Sequence, residues 1–343
     1  MTIDVLKGSA IRDVPARHGD HAETADARTL RWVEAAGLCE TPTELRNLAR
    51  IRPGLLAAWC HPRADRSDSV LVAMWMAWLF LLDDRIDEGD LGRDADRLEA
   101  HLHEPLGVVS YGSAPTSPMG RALAEIVERA SDAMPDAWVL RFRRHVADYL
   151  SGCVWQAAHR QAGHVPHPEG FPAWRRAFGA IMPSFDLVER TDGCFLPPSL
   201  YYSRPFQELL VAAADLVCWT NDLMTVDKEA AQGDPHNLVL VTAHHGGMDR
   251  HAAALLVTDA FEDRLRAHAR ARRELTGLAR ALATPPALRR QADHCAEALL
   301  DWARGHLEWG LGTPRYRTGT TTTAPAPAPA PAPTGEDHHA DTP

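Results

Sequence analysis

An all-α fold, one helical bundle of about ten to twelve helices, follows from three features of the sequence. Apolar residues recur at helical spacing from about residue 28 to residue 311. Alternating β-branched runs of the strand type are rare, with Ala, Leu, Arg and Glu dominating. Pro and Gly interrupt the pattern often enough to divide it into separate helices. The chain has 343 residues, 45% hydrophobic and 24% charged, which is an ordinary globular mix with material for one large core.

Taken in chain order, 28–37 and 42–51 are short helical runs, and Gly54 separates them from the next. The run 67–88 contains the longest apolar stretch, 70–82. A bilayer span needs roughly 20 such residues, so this stretch reads as a buried helix and no membrane span is expected. Residues 94–103 and 120–134 follow, and Pro135 divides the latter from 137–159. Pro183 lies inside 172–190, and Pro197 and Pro198 close that run before the long apolar run 205–232. Gly233 ends it, 236–245 and 250–282 come next, and Pro285 and Pro286 open the last, 286–311. Outside this pattern, 1–26 is polar and aperiodic and is expected to be a flexible N-terminal arm. Residues 27–316 form the expected domain. The Thr-then-Ala-Pro tract 317–343 cannot pack a core and reads as an extended or disordered tail.

Charge and cysteine usage exclude several classes. A formal charge of −10 disfavours a nucleic-acid binder, which needs a basic face. The six cysteines form no CxxC pair, and the first residues lack an apolar leader, so the thiols read as reduced and the location as cytoplasmic. The adjacent His244 and His245 point about 100° apart on a helix and make a poor metal pair.

Two polar clusters stand at the ends of apolar helices. In LFLLDDRIDE, Asp83 and Asp87 are four residues apart and share a face, with Asp84 about 100° round from Asp83. At a helix C-terminus the dipole is already negative, so these acids create a charge that a cation relieves. Hard divalent ions such as Mg²⁺ accept carboxylate oxygens and keep coordination positions for a phosphate. The bland alternative is a solvated acidic helix end. In CWTNDLMTVDKEAAQGD, Asn221, Thr225 and Glu229 stack an amide oxygen, a hydroxyl and a carboxylate on one stripe, with Lys228 beside them. The alternative here is a polar stripe facing water, which fits poorly with Asn and Thr directly following an apolar run.

Together the two clusters describe facing walls of a metal–diphosphate site, and over about 28–316 the chain resembles a class I terpene synthase of the bacterial sesquiterpene cyclase type. The resemblance implies that the bundle surrounds a central cavity, and it implies further residues. An Arg that senses diphosphate stands 46 positions before the motif Asn in this family, and Arg175 occupies that position. Gly179 and Pro183 are placed to make the helix break expected beside it. The family's C-terminal Arg-Tyr pair is Arg315 and Tyr316, and its cavity aromatic six residues earlier is Trp309. Two positions depart from the pattern: Phe178 stands where a Thr or Asp is usual, and Gln232 where an Arg often adds a diphosphate contact.

What the resemblance implies is Mg²⁺-dependent ionisation of a linear isoprenyl diphosphate, most simply farnesyl diphosphate, followed by cyclisation to a sesquiterpene hydrocarbon or alcohol. Three Mg²⁺ ions are implied, held by Asp83, Asp84 and Asp87 on one wall and by Asn221, Thr225 and Glu229 on the other. Arg175, Lys228, Arg315 and Tyr316 are the implied diphosphate contacts. Phe80, Phe178, Gly179, Trp219 and Trp309 are the expected cavity residues, where aromatic faces stabilise a carbocation by about 0.5–2 kcal/mol each. The expected partner is the small-molecule diphosphate, in a monomer or homodimer. A C10 or C20 substrate is the nearest alternative. A chain-elongating prenyltransferase would carry aspartate-rich motifs on both walls, and a non-catalytic scaffold would have no use for either.

Overall fold

In the computed structural model, residues 2–87 and 91–316 are described, and among them every regular element is helical. Fourteen α-helices occur in chain order. They are α1 (Ala22–Ala35), α2 (Pro42–Ile51), α3 (Pro53–Cys60), α4 (Arg66–Asp87), α5 (Ala95–Tyr111), α6 (Pro118–Ser131) and α7 (Asp136–Ala162). There follow α8 (Phe171–Phe178), α9 (Ile181–Thr191), α10 (Pro198–Tyr201), α11 (Arg204–Gln232), α12 (Leu238–Gly246), α13 (Arg250–Ala281) and α14 (Pro286–Gly312). The count exceeds the expected ten to twelve because the run 172–190 is two helices, Gly54, read as a breaker, lies inside the additional α3, and the short α10 forms at Pro197 and Pro198. A Cβ on Gly54 would sit 2.3 Å from the Asp26 backbone nitrogen, so this glycine permits α3 to cross α1 closely. The tail 317–343 lies outside the described residues.

The expected starts carry the side chains that helix starts need. Thr41, Asp94, Ser117 and Asp249 each accept a hydrogen bond from a backbone N–H in the first turn of α2, α5, α6 and α13. Pro105 stays within α5, which therefore runs past the expected end at 103 to Tyr111.

Two helices are buried nearly all round and form the centre. Every residue of α4 from Ser69 to Trp78 is buried, with Trp75 and Trp78 stacked at 5.8 Å. Among the described residues α11 alone is long and apolar enough to cross a membrane, but 89% of its apolar window is buried inside the protein. It packs against α13 and α14, while α4 packs against α1 and α3. Both central helices change from apolar to acidic and amide side chains at their C-terminal ends, and this places the polar clusters around one opening.

The N-terminal segment corrects the sequence reading. It is not a free arm: Ile3, Leu6 and Ile11 are buried, and the segment packs on α11, α13 and α14. Arg304 donates to the Ile11 carbonyl at 2.9 Å, and Arg17 pairs with Asp301 and Glu297. Short 3-10 turns, Thr2–Gly8 and Ala10–Asp13, present these apolar side chains without the long periodicity that marks an α-helix.

Candidate active site

The end of α4 forms one wall. Asp83 and Asp84 are held from above by Arg315, whose Nη2 donates to Asp83 at 2.5 Å and Nη1 to Asp84 at 2.9 Å. The Arg315 guanidinium also lies 4.6 Å over the Phe80 ring, which in turn stacks on Trp309 at 5.7 Å. Residues 315 and 84, 231 positions apart, are thus joined through one cation. Asp87, one turn further on, accepts from Arg160 at 2.8 Å, and Arg160 also binds Asp234. Burial, and then Asp83, push the Asp87 carboxyl up to about 7 against the pull of Arg160.

The end of α11 forms the facing wall. Asn221 Oδ1 accepts from Arg175 Nη2 at 2.8 Å, and its Nδ2 donates to the Tyr316 hydroxyl at 2.8 Å. Thr225 donates its hydroxyl to the Asn221 carbonyl, and Glu229 accepts from Asn237 at 2.7 Å. Burial, followed by Asp222 and Asp234, pushes the Glu229 carboxyl up to about 8. Arg175 is anchored by Asp222, which accepts from Nε at 2.8 Å and from the Leu238 backbone N–H at 2.9 Å. Burial opposes the charge on Arg175, but its neighbours, Asp222 first among them, together outweigh it, so the guanidinium is held cationic.

Between the walls the α8–α9 junction breaks at Gly179 and Ala180, not at Pro183, which sits in the first turn of α9. A Cβ on Gly179 would lie 2.8 Å from both Arg175 Nη1 and the Arg175 carbonyl, so only glycine lets the chain pass this close. Ala180 takes the left-handed conformation with φ 53°, a strain of order 1–3 kcal/mol held by its surroundings. Phe178 lies beneath Arg175, 5.1 Å from it.

Most of these groups line one cavity of about 190 Å³; Asp84 and Asp222 do not, and reach it through Arg315 and Arg175. Its mouth carries Asp83, Asp87, Asn221, Thr225, Lys228 and Glu229, and its depth carries Met76, Phe80, Phe178, Trp302 and Trp309. Gly179 and the pair Arg315 and Tyr316 also border it. Trp219 is the correction: it does not line the cavity but lies beneath Arg264 of α13, at 5.5 Å. Two residues before Asn221 on a helix, it points about 200° away from the motif face. The sequence reading missed Asp222, which anchors Arg175, and the cavity residues Asp234 and the α7 stripe Tyr149, Cys153, Gln156 and Arg160. Its spacing of three and four residues was a signal, but an equally good one for a buried core face.

The donor set fits a hard divalent cation. Carboxylate, amide and hydroxyl oxygens face one another across the mouth, and two of the carboxyls are pushed up by burial for want of positive charge. Each donor is meanwhile held by protein groups, and among the described residues no three His, Cys, Asp or Glu side chains gather into a closed cluster. Arg315 stands on Asp83 and Asp84 as an internal cation.

Residues 74–267 match the family described as terpene synthase family 2, C-terminal metal binding. The chain is 64% identical over 322 residues to (-)-delta-cadinene synthase of Streptomyces clavuligerus, covering 94% of this chain and 98% of that protein. It is 34% identical over 303 residues to (+)-T-muurolol synthase ((2E,6E)-farnesyl diphosphate cyclizing) of Roseiflexus castenholzii, covering 86% and 89%. Among solved structures it is similar to linalool/nerolidol synthase from Streptomyces clavuligerus in complex with 2-fluorogeranyl diphosphate. That match has a TM-score of 0.79 and 30% identity, and covers 86% of this chain and 100% of that one.

Proposed function

Because the chain belongs to the terpene synthase family, and is a lyase acting on a diphosphate substrate, we propose that it cyclises farnesyl diphosphate with Mg²⁺ and releases diphosphate, with δ-cadinene as the product. One observation carries this reading. Two walls of hard oxygen donors, with Arg175 and Arg315 set between them, face a single cavity whose depth is aromatic. The 64% identity to a δ-cadinene synthase over nearly the whole length favours the same carbon skeleton.

Mg²⁺, three ions by the family resemblance, supplies Lewis acidity to the leaving diphosphate when bound. Asp83, Asp84 and Asp87 would hold it on one side, and Asn221, Thr225 and Glu229 on the other. Arg175, Lys228, Arg315 and Tyr316 donate to the diphosphate oxygens. Charge then accumulates on the leaving group within a ring of fixed cations, and the allylic C–O bond breaks without a protein nucleophile. Arg315, which pairs with Asp83 and Asp84, would exchange those carboxylates for the diphosphate oxygens. The exchange keeps the mouth covered and excludes water from the carbocation. Phe80, Phe178 and Trp309 present ring faces to that cation. The substrate is the only partner this scheme needs. The protein acts in the cytoplasm, as a monomer or homodimer.

Incubation with farnesyl diphosphate and Mg²⁺, followed by GC–MS of the extract, tests this. A cyclic C15 hydrocarbon that disappears with chelator and in Asp83→Ala is the expected result. Turnover of geranyl or geranylgeranyl diphosphate alone would overturn the substrate, and no product from any of the three would overturn the reaction.

A further inference from the structure

Of the six cysteines, two meet away from the active site. Cys194 lies in the turn between α9 and α10, Cys295 lies in α14, and they are 0% and 1% exposed. Their sulfurs are 2.9 Å apart across 101 residues of chain. That is well inside the ~3.5–4 Å at which non-bonded heavy atoms settle. The Cys295 thiol also points at the Cys194 carbonyl, 3.4 Å away, and Cys194 points at the Val188 carbonyl, so no solvent separates the two. Among the described residues no further sulfur, imidazole or carboxylate joins them in a group able to hold a metal. What remains is chemistry between the two sulfurs.

We propose that Cys194 and Cys295 are a latent disulfide pair that a peroxide-class oxidant closes and a thiol reductant reopens. Two S–H bonds break and one S–S bond forms. The two electrons and two protons pass to hydrogen peroxide, which leaves as two waters. Contact with Cys194, and then burial, hold the Cys295 thiol well above its ordinary range, so the reaction is slow in the closed state. It proceeds when the turn at Asp192–Cys194 opens. That turn is held from outside by Asp192, which pairs with Arg63 at 3.0 Å and with His294 at 3.0 Å. The cross-link encloses α10 to α13, including the Asn221–Glu229 wall, and ties them to α14, which leads to Arg315. It restricts the unfolded chain more than the folded one and raises thermal stability.

The test uses the full chain, reduced and freed of reductant, then treated with hydrogen peroxide. The protein is unfolded in the presence of N-ethylmaleimide and mapped by mass spectrometry. The expected outcome is a loss of two labels from the six cysteines, a linked Cys194–Cys295 peptide, and recovery of all six labels after dithiothreitol. The melting midpoint should rise by about 5–10 °C on oxidation. Cys194→Ala, with five cysteines, should keep all five labels and an unchanged midpoint after peroxide. Full labelling of wild type after peroxide, or losses that map to other cysteines, overturns the proposal. If Cys194→Ala does not fold, the wild-type peptide map decides alone. No readout depends on the substrate, so this can fail while the cyclase reading stands, and the reverse.

Discussion

Replacing Arg175 by Met isolates the energetics of the buried charge pair behind the candidate active site. Arg175 is 7% exposed and Asp222 0%, and they meet at 2.8 Å. Met keeps much of the side-chain volume and leaves Asp222 with one backbone N–H, that of Leu238, as its side-chain partner. Removing one member of a buried pair costs about 3–5 kcal/mol, because the surviving charge stays desolvated. The cost depends on pH in a definite direction. Burial already raises the Asp222 carboxyl, and Arg175 is the chief group pulling it down. Without Arg175 the folded-state pKa rises further above the unfolded value. The acid is then protonated when folded and ionised when unfolded, so stability is lost as pH increases between the two values.

The Arg175→Met penalty should therefore be larger at pH 8 than at pH 5, reaching about 3 kcal/mol or more at the higher pH. Adding Asp222→Asn removes the stranded charge and should restore stability relative to the single variant. Urea unfolding followed by circular dichroism at both pH values, for wild type, both single variants and the double, measures every term. An Arg175→Met protein within about 1 kcal/mol of wild type at pH 8 refutes the reasoning. So does a double variant whose losses simply add.

Gly305→Ala should destabilise by about 3 kcal/mol or more, measured by the same unfolding series. Its new Cβ would lie 2.1 Å from the Trp59 carbonyl oxygen, and α3 backbone cannot move aside as a side chain would. His61 is fixed as a neutral ring, since Nε2 accepts from the Trp302 indole at 3.2 Å while Nδ1 faces the Thr191 hydroxyl. Burial depresses it to about 3, so its contribution is full above about pH 6.5 and is lost as pH falls toward 3. In His61→Gln the slope of stability against pH below 6 should drop by about 1.4 kcal/mol per pH unit, and an unchanged slope would contradict this. Glu229→Gln should lower turnover of farnesyl diphosphate at least about 100-fold with the fold intact by circular dichroism. Near-normal turnover would remove Glu229 from the metal wall.

What was legible in the sequence was whatever repeats along a single helix. The apolar stretch 70–82 becomes the buried interior of α4, and Asn221, Thr225 and Glu229 all border the cavity because i, i+4 and i+8 share a face. Arg315 and Tyr316 were reached only through the family pattern, since no local rule brings residue 315 to residue 83. Asp222 shows the limit from the other side. It is adjacent to Asn221, yet about 100° of rotation turns it away from the cavity edge toward Arg175 and the start of α12. Trp219 fails for the same reason with the opposite expectation, and only the position of α13 decides which way an aromatic faces.

The docked N-terminal segment extends that point to charges. Arg17, Arg63, Asp192 and Asp301 look like scattered surface residues in the sequence. In the fold, Arg63 bridges Asp192 and Asp301 while Arg17 holds Asp301, so the N-terminus, α9 and α14 are clamped behind the cavity. α14 carries Trp309 and leads directly to Arg315. The clamp therefore ties down the base of the helix whose far end leads to Arg315, the cation that reaches across to Asp83 and Asp84.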